Sequence, residues 1–138
     1  PLSNSIGWDA WHVFRSADNL LHFVFRRERP IWLAQGLDEA WGLPRVDQGT
    51  GMDPDAAHAL VFPDAPRLAQ YGRDVRAAVV PRIERMSGDD LQARTLVRPW
   101  GEVTRQESIG QVVIAHGNGH LGQVSTARAI LGRRGVGF

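Results

Sequence analysis

His116 and His120 stand four residues apart, the spacing that sets one side chain above the other on a helix and lets two imidazoles address one ion. Placed at about 100° per residue, both fall in the middle of a stripe shared with Ile109, Val112, Val113, Gln123, Val124, Ala127, Ile130 and Leu131. A buried histidine needs a partner for each ring nitrogen, and two side by side without a shared partner are costly to desolvate. A metal ion meets both needs; otherwise each ring must bond a neighbouring side chain or water in the core. The chain has no cysteine, which excludes disulfides, thiolate ligands and cysteine nucleophiles together. Any metal must then take nitrogen or oxygen donors.

The element that carries this pair reads in two ways. QVVIAH and HLGQVS flank Gly117-Asn118-Gly119 in the form of a β-hairpin, and two glycines inside a helix cost about 1 kcal/mol each relative to alanine. Phase favours the helix, because a hairpin has no reason to keep a helical stripe across its turn. The opposite face collects Gln111, Asn118, Gly122, Ser125 and Ala129, which are polar or small. We expect one helix from Glu107 to Leu131, with Glu107 at the positive end of its dipole and Gly132 where a glycine stops it. Gly117 and Gly119 would allow a neighbouring helix or ligand to approach closely.

Other elements must bring partners to this pair. From Ser5 to Arg27, the positions Ile6, Ala10, Val13, Ala17, Leu20 and Val24 keep helical spacing, with Asn4 or Ser5 as cap and Pro30 as the stop. His12 falls off this stripe, among Ser5, Trp8, Ser16, Asn19 and His22, and by position alone reads as a partly exposed histidine; His22 and His58 read as structural or exposed. The segment from Pro30 to Pro63 is rich in turn formers and reads as a long crossover with short helices near Ile31 to Ala34 and Pro54 to Leu60. A second long helix is expected from Ala65 to Met86, kinked near Ala77 to Pro81 or tightened in its last turn. Ser87 to Asp90, and Pro99 with Gly101, read as breaks.

The 138 residues suit a single domain, 1–138, and 43% hydrophobic with 22% charged residues is ordinary for a globular chain. Sixteen Lys+Arg against fifteen Asp+Glu leave a charge of +1, and the clusters Arg26, Arg27, Arg29 and Arg133, Arg134 read as solvated surface, so nucleic acid is not an expected partner. No apolar run approaches the ~20 residues of a membrane span, and we expect a cytoplasmic protein.

Two segments carry a resemblance. SIGWDAWHVFRSAD, from Ser5 to Asp18, resembles the DinB-like superfamily helix in which S-I/V-x-x-x-x-x-H supplies the first metal histidine, and VVIAHGNGHLGQVSTARAILG, from Val112 to Gly132, resembles its closing helix, H-x-x-x-H-x-G-Q before an apolar run and a glycine. The segment from Arg67 to Leu91 matches more loosely. The resemblance implies a metal site of His12, His116 and His120, binding zinc, nickel or iron. It implies an all-α, up-down-down-up four-helix bundle with a long connection between its second and third helices. It also implies an enzyme using a low-molecular-weight thiol for S-transfer or isomerisation on a small-molecule substrate; the alternative is a non-catalytic metal- or ligand-binding module.

There are two departures from the family pattern. Members often place a second histidine three residues before the first ligand, where this chain has Asp9. They also begin with a further helix, which we expect to be missing from these 138 residues, so Trp8, Trp11, Phe14, Leu21 and Phe25 are expected on a seam covered by an upstream segment or by a second copy in a homodimer.

Overall fold

The computed structural model describes residues 4–136; the expectations about Pro1 and what precedes it lie outside the described residues. Ser5 accepts a hydrogen bond from the Trp8 N–H at 3.1 Å and so opens α1 (Ile6–Asp18), which continues as a π-helical segment (Asn19–Val24). Arg27 ends this helix ahead of Pro30. Its backbone takes φ 58° and its N–H returns to the Phe23 carbonyl at 2.9 Å, a left-handed cap. Pro30 instead precedes α2 (Ile31–Ala34). The crossover adds α3 (Leu37–Trp41), which sequence reasoning did not anticipate, and α4 (Pro54–Ala59), capped by Asp53.

Helix α5 (Ala65–Glu84) runs through Pro81, and the Met86 N–H reaches back three residues to the Ile83 carbonyl, a tightened last turn. The break expected at Ser87 to Asp90 holds a short helix, α6 (Gly88–Gln92), because Ser87 and Asp90 form a reciprocal capping box. The next break is a hairpin. Strand β1 (Arg94–Val97) pairs antiparallel with β2 (Gly101–Thr104), Arg94 opposite Thr104 and Val97 opposite Gly101. Thr104 and Glu107 then form a second capping box that starts the closing helix: α7 (Arg105–Ser108), a π-helical segment (Ile109–Ala115) and α8 (His116–Ile130). No strand pairing occurs between residues 111 and 125, so the helical reading of that stretch holds.

Three long helices therefore dominate the described residues, with α1 packed against both α5 and α8. The core gathers Trp11, Leu21, Trp32, Tyr71, Val75 and Ile109. The residues expected on a seam needing cover from outside are covered by the chain itself: Trp8, Trp11, Leu21 and Phe25 are buried and Phe14 is half-buried. The helix α1 is more deeply buried than its apolar stripe predicts. Ile6, Ala10, Val13 and Val24 are only half-buried, whereas Trp11, Arg15 and Asp18 are fully covered.

That polar face is tolerated because the crossover supplies its partners. Asp18 accepts from the Ile31 N–H at 3.0 Å, the Trp32 N–H at 2.9 Å and the Tyr71 hydroxyl at 2.9 Å, and lies 2.9 Å from the His22 Nδ1. Burial alone would push its carboxyl up, but these donors together hold it below the usual carboxylate range. Arg15 reaches three consecutive carbonyls, those of Arg45, Val46 and Asp47, at 3.3, 3.2 and 3.4 Å, with its guanidinium over the Trp32 ring. The Trp32 indole donates to the preceding carbonyl, Pro44, at 3.2 Å.

At the far end of α8 the sequence stripe fails. Ile130 and Leu131 are exposed, as is Gln123. Among the described residues close approach over the glycines is also absent: a Cβ on Gly117 would meet only Val13 at 3.8 Å, and one on Gly119 would meet nothing within 4 Å.

Candidate metal centre

His12 sits in the middle of α1, while His116 opens α8 directly after the π-helical segment and His120 follows one turn later. Single π turns often mark functional positions in helices. The three side chains converge. The His116 Nε2 lies 2.9 Å from the His12 Nε2 and 3.1 Å from the His120 Nε2, and one ligand atom from each ring lies within 4.8 Å of the others. His12 is buried at 5% exposure, contrary to the partly exposed reading of its face. Trp8 stacks on it with centroids 4.6 Å apart, and the crossover loop covers it.

Each ring is oriented through its other nitrogen. The His12 Nδ1 bonds the Gln48 backbone carbonyl, the His116 Nδ1 lies 3.2 Å from the Val112 carbonyl, and the His120 Nδ1 lies 3.0 Å from the Asp9 Oδ1. All three acceptors are oxygens, so each Nδ1 carries the proton and each Nε2 turns a lone pair inward. Lone pairs 2.9 and 3.1 Å apart repel one another unless a cation lies between them. The donor set thus fits a divalent ion, with every ligand held by an outer partner of the usual kind.

Electrostatics favours the ligand form. Burial pushes the His12 imidazole down to about 4, against the opposing pull of the Gln48 carbonyl, and burial followed by the neighbouring His120 pushes His116 down. Both are neutral near pH 7 and need lose no proton to bind a cation. The Asp9 carboxyl, 2% exposed, is pushed up by burial while its hydrogen bond to His120 pulls it down.

Gly49 closes the loop against the site. Its φ of +97° suits glycine, and a Cβ there would lie 2.7 Å from the Trp8 ring and 3.2 Å from the His12 Nδ1. Beyond the triad, His12 and His116 open onto a cavity of about 550 Å³ walled by the first helix, the crossover loop and the hairpin. A second cavity of about 800 Å³ lies on the other flank, bordered by Trp8, Asp9 and the glycine face of α8.

Of the remaining histidines, His22 is buried on Asp18 and His58 is exposed on α4, and neither joins the triad. Sequence reasoning left Asp9 without a role and did not see Gln48 or the hairpin. Asp9 carried one usable signal, its position three residues before His12 on the same helix.

The architecture and the triad define a mainly helical protein whose first and last long helices bring three histidines together in a site able to hold a metal ion. The chain belongs to the DinB superfamily, whose family model matches residues 1–124. A crystal structure of a conserved protein from Enterococcus faecalis superposes with a TM-score of 0.81 at 24% identity, over 96% of this chain and 79% of that one. At that identity the likeness speaks for the fold alone. No curated protein matches the sequence.

Proposed function

We propose that His12, His116 and His120 hold a divalent ion, zinc, nickel or iron(II), and that the single domain is a metal-dependent enzyme using a low-molecular-weight thiol for S-transfer or isomerisation. The observation that carries the metal is the convergence of three Nε2 atoms whose Nδ1 partners are all oxygen acceptors. Neutral imidazoles suit these three metals alike. Three protein ligands leave positions open for an exogenous group, as catalytic sites do.

The chemistry such an ion supplies when bound is Lewis acidity, which lowers the pKa of a coordinated thiol or water toward neutrality. The chain's own residues orient the imidazoles and wall the cavity. Its lining contains no aspartate, glutamate, lysine, tyrosine or cysteine, so the protein offers there neither a separate general base nor a sulfur nucleophile. A low-molecular-weight thiol would supply the sulfur, and because a bound ion would acidify that thiol, its proton could pass to solvent without a dedicated protein base. Gln48 adds a buried side-chain oxygen without a hydrogen-bond partner in the same wall, an acceptor for a donor on the ligand.

The missing base equally favours a second reading, a binding module without turnover. Metal analysis of protein purified without chelator tests the site. One equivalent of a divalent ion in the wild type and in His58→Ala, and none in His116→Ala or His120→Ala, is expected; a metal-free wild type overturns the proposal. Thiol-dependent turnover of an electrophile by the loaded protein then separates enzyme from binding module. We also propose a cytoplasmic homodimer, although the α1 face first expected to pair is covered within the chain; a monomer by sedimentation at micromolar concentration removes the dimer.

A further inference from the structure

The cavity in front of the triad has a charge pattern of its own. Two arginines, Arg27 and Arg98, are among the residues that line it, and none of the lining residues is acidic. Among the described residues neither arginine has a carboxylate within ion-pair distance, whereas Arg26 pairs with Glu28 and Arg82 does so too. Arg27 is also the non-glycine residue held at positive φ, 58°, with its guanidinium 5.2 Å above the Phe23 ring. The left-handed cap accounts for its backbone, but an arginine there, where glycine is usual, beside a cavity and without an anion to pair with, is a charged group available to a ligand.

The walls are apolar where such a ligand's body would lie. Phe23, Leu96 and Trp100 line the same cavity and are 46%, 61% and 47% exposed. Scattered apolar side chains on a surface need no explanation, but three gathered on one concave wall beside unpaired guanidinium groups mark a groove for an amphipathic molecule. The hairpin carries three of these five residues: Leu96 lies on β1, and Arg98 and Trp100 lie in the turn between β1 and β2.

We propose that the cavity binds organic carboxylates with an apolar or aromatic body, the carboxylate held by Arg27 and Arg98 and the body packed on Phe23, Leu96 and Trp100. This rests on reading the triad as the floor of a ligand site, and it deepens that reading by assigning the substrate's charge. Arginine suits the role because its planar fork matches a carboxylate's two oxygens.

The test is calorimetric binding of 4-phenylbutyrate and its neutral analogue 4-phenylbutyramide, on chelator-treated and on zinc-loaded protein. The acid should bind the metal-free wild type about tenfold or more tightly than the amide, as a charge-assisted hydrogen bond implies. That preference should fall to about twofold or less in the Arg27→Gln/Arg98→Gln double variant, persist in Arg67→Gln, and return in large part in Arg27→Lys/Arg98→Lys. Equal affinity of acid and amide for the wild type, or binding of neither at millimolar concentration, overturns the proposal without recourse to any variant. Zinc bound with no acid preference sinks this inference and leaves the metal site standing; acid preference in a protein that takes no zinc does the reverse.

Discussion

Replacing Asp9 by asparagine separates the metal site from the fold, because the two should respond with opposite sign. The carboxylate lies 3.0 Å from the His120 Nδ1 and is 2% exposed. The amide keeps the shape and removes the charge. A carboxylate behind a ligating imidazole fixes its tautomer and raises its basicity, and losing such a partner costs about 10–100-fold in metal affinity, roughly 1.4–2.8 kcal/mol. The metal-free fold should behave otherwise. Burial pushes the Asp9 carboxyl above its ordinary value, so near pH 7 its ionised form is a burden on the folded state that a neutral amide lifts. Asp9→Asn should therefore unfold no earlier than wild type in urea after chelation, yet lose metal to a competing chromophoric chelator at correspondingly lower chelator concentration. Unchanged affinity in Asp9→Asn, beside complete loss in His120→Ala, would refute the orienting role. Equal losses of affinity and of metal-free stability would make Asp9 a packing residue only.

Three further outcomes follow from the geometry. Gly49→Ala should destabilise by about 2–3 kcal/mol in denaturant unfolding, since its φ of +97° and a contact of 2.7 Å with Trp8 oppose any Cβ, whereas Gly119→Ala, with nothing within 4 Å, should stabilise by about 0.5–1 kcal/mol. His12 is pushed down to about 4 by burial, so protons prefer the unfolded chain. Metal-free protein should hold this contribution above pH ~6.5 and lose up to about 3 kcal/mol as pH falls toward 4, and a flat urea midpoint across that window would contradict the burial of an uncharged imidazole. Asp18→Asn should cost at least about 2 kcal/mol, because the single oxygen of an amide cannot accept from all of the Ile31, Trp32 and Tyr71 donors that converge on the carboxylate; a thermal midpoint like that of wild type would mean the network is dispensable.

The histidine pair was legible because helical spacing is a local property: residues 116 and 120 share a face whatever surrounds them. The stripe around them was read at a constant angle and held as far as His120, although a π-helical segment interrupts the turn count just before it. Past Val124 the pattern promised a core that the described residues do not provide. The polar face of α1 misled for a different reason. Amphipathic reading assigns polar residues to solvent, but Arg15 and Asp18 are buried against backbone donors and acceptors of residues some 13 to 32 positions away. Nothing in the spacing of side chains reports where a loop's carbonyls will lie. Asp9 and His120 are 111 residues apart in sequence, and so their pairing was equally invisible. The hairpin was hidden by its brevity, two four-residue strands around Pro99 and Gly101 that resemble an ordinary break.

The misread polar face of α1 comes down to a single construction. Five consecutive carbonyls of the crossover, from Pro44 to Gln48, are each taken by a side chain: Trp32 takes the first, Arg15 the next three, and His12 the last. A run of irregular backbone can be buried only if its polar groups are met, and here meeting them also selects the tautomer of a histidine in the triad. The Gln48 carbonyl claims the His12 Nδ1 proton and so leaves the Nε2 lone pair facing His116. Arg15 makes no hydrogen bond to the three histidines among the described residues, yet it holds the adjacent carbonyls and thereby helps fix where Gln48 stands. The buried charge that looks like a liability of the fold is thus part of what aims the first imidazole, and the stability of the crossover and the geometry of the triad are set by the same hydrogen bonds.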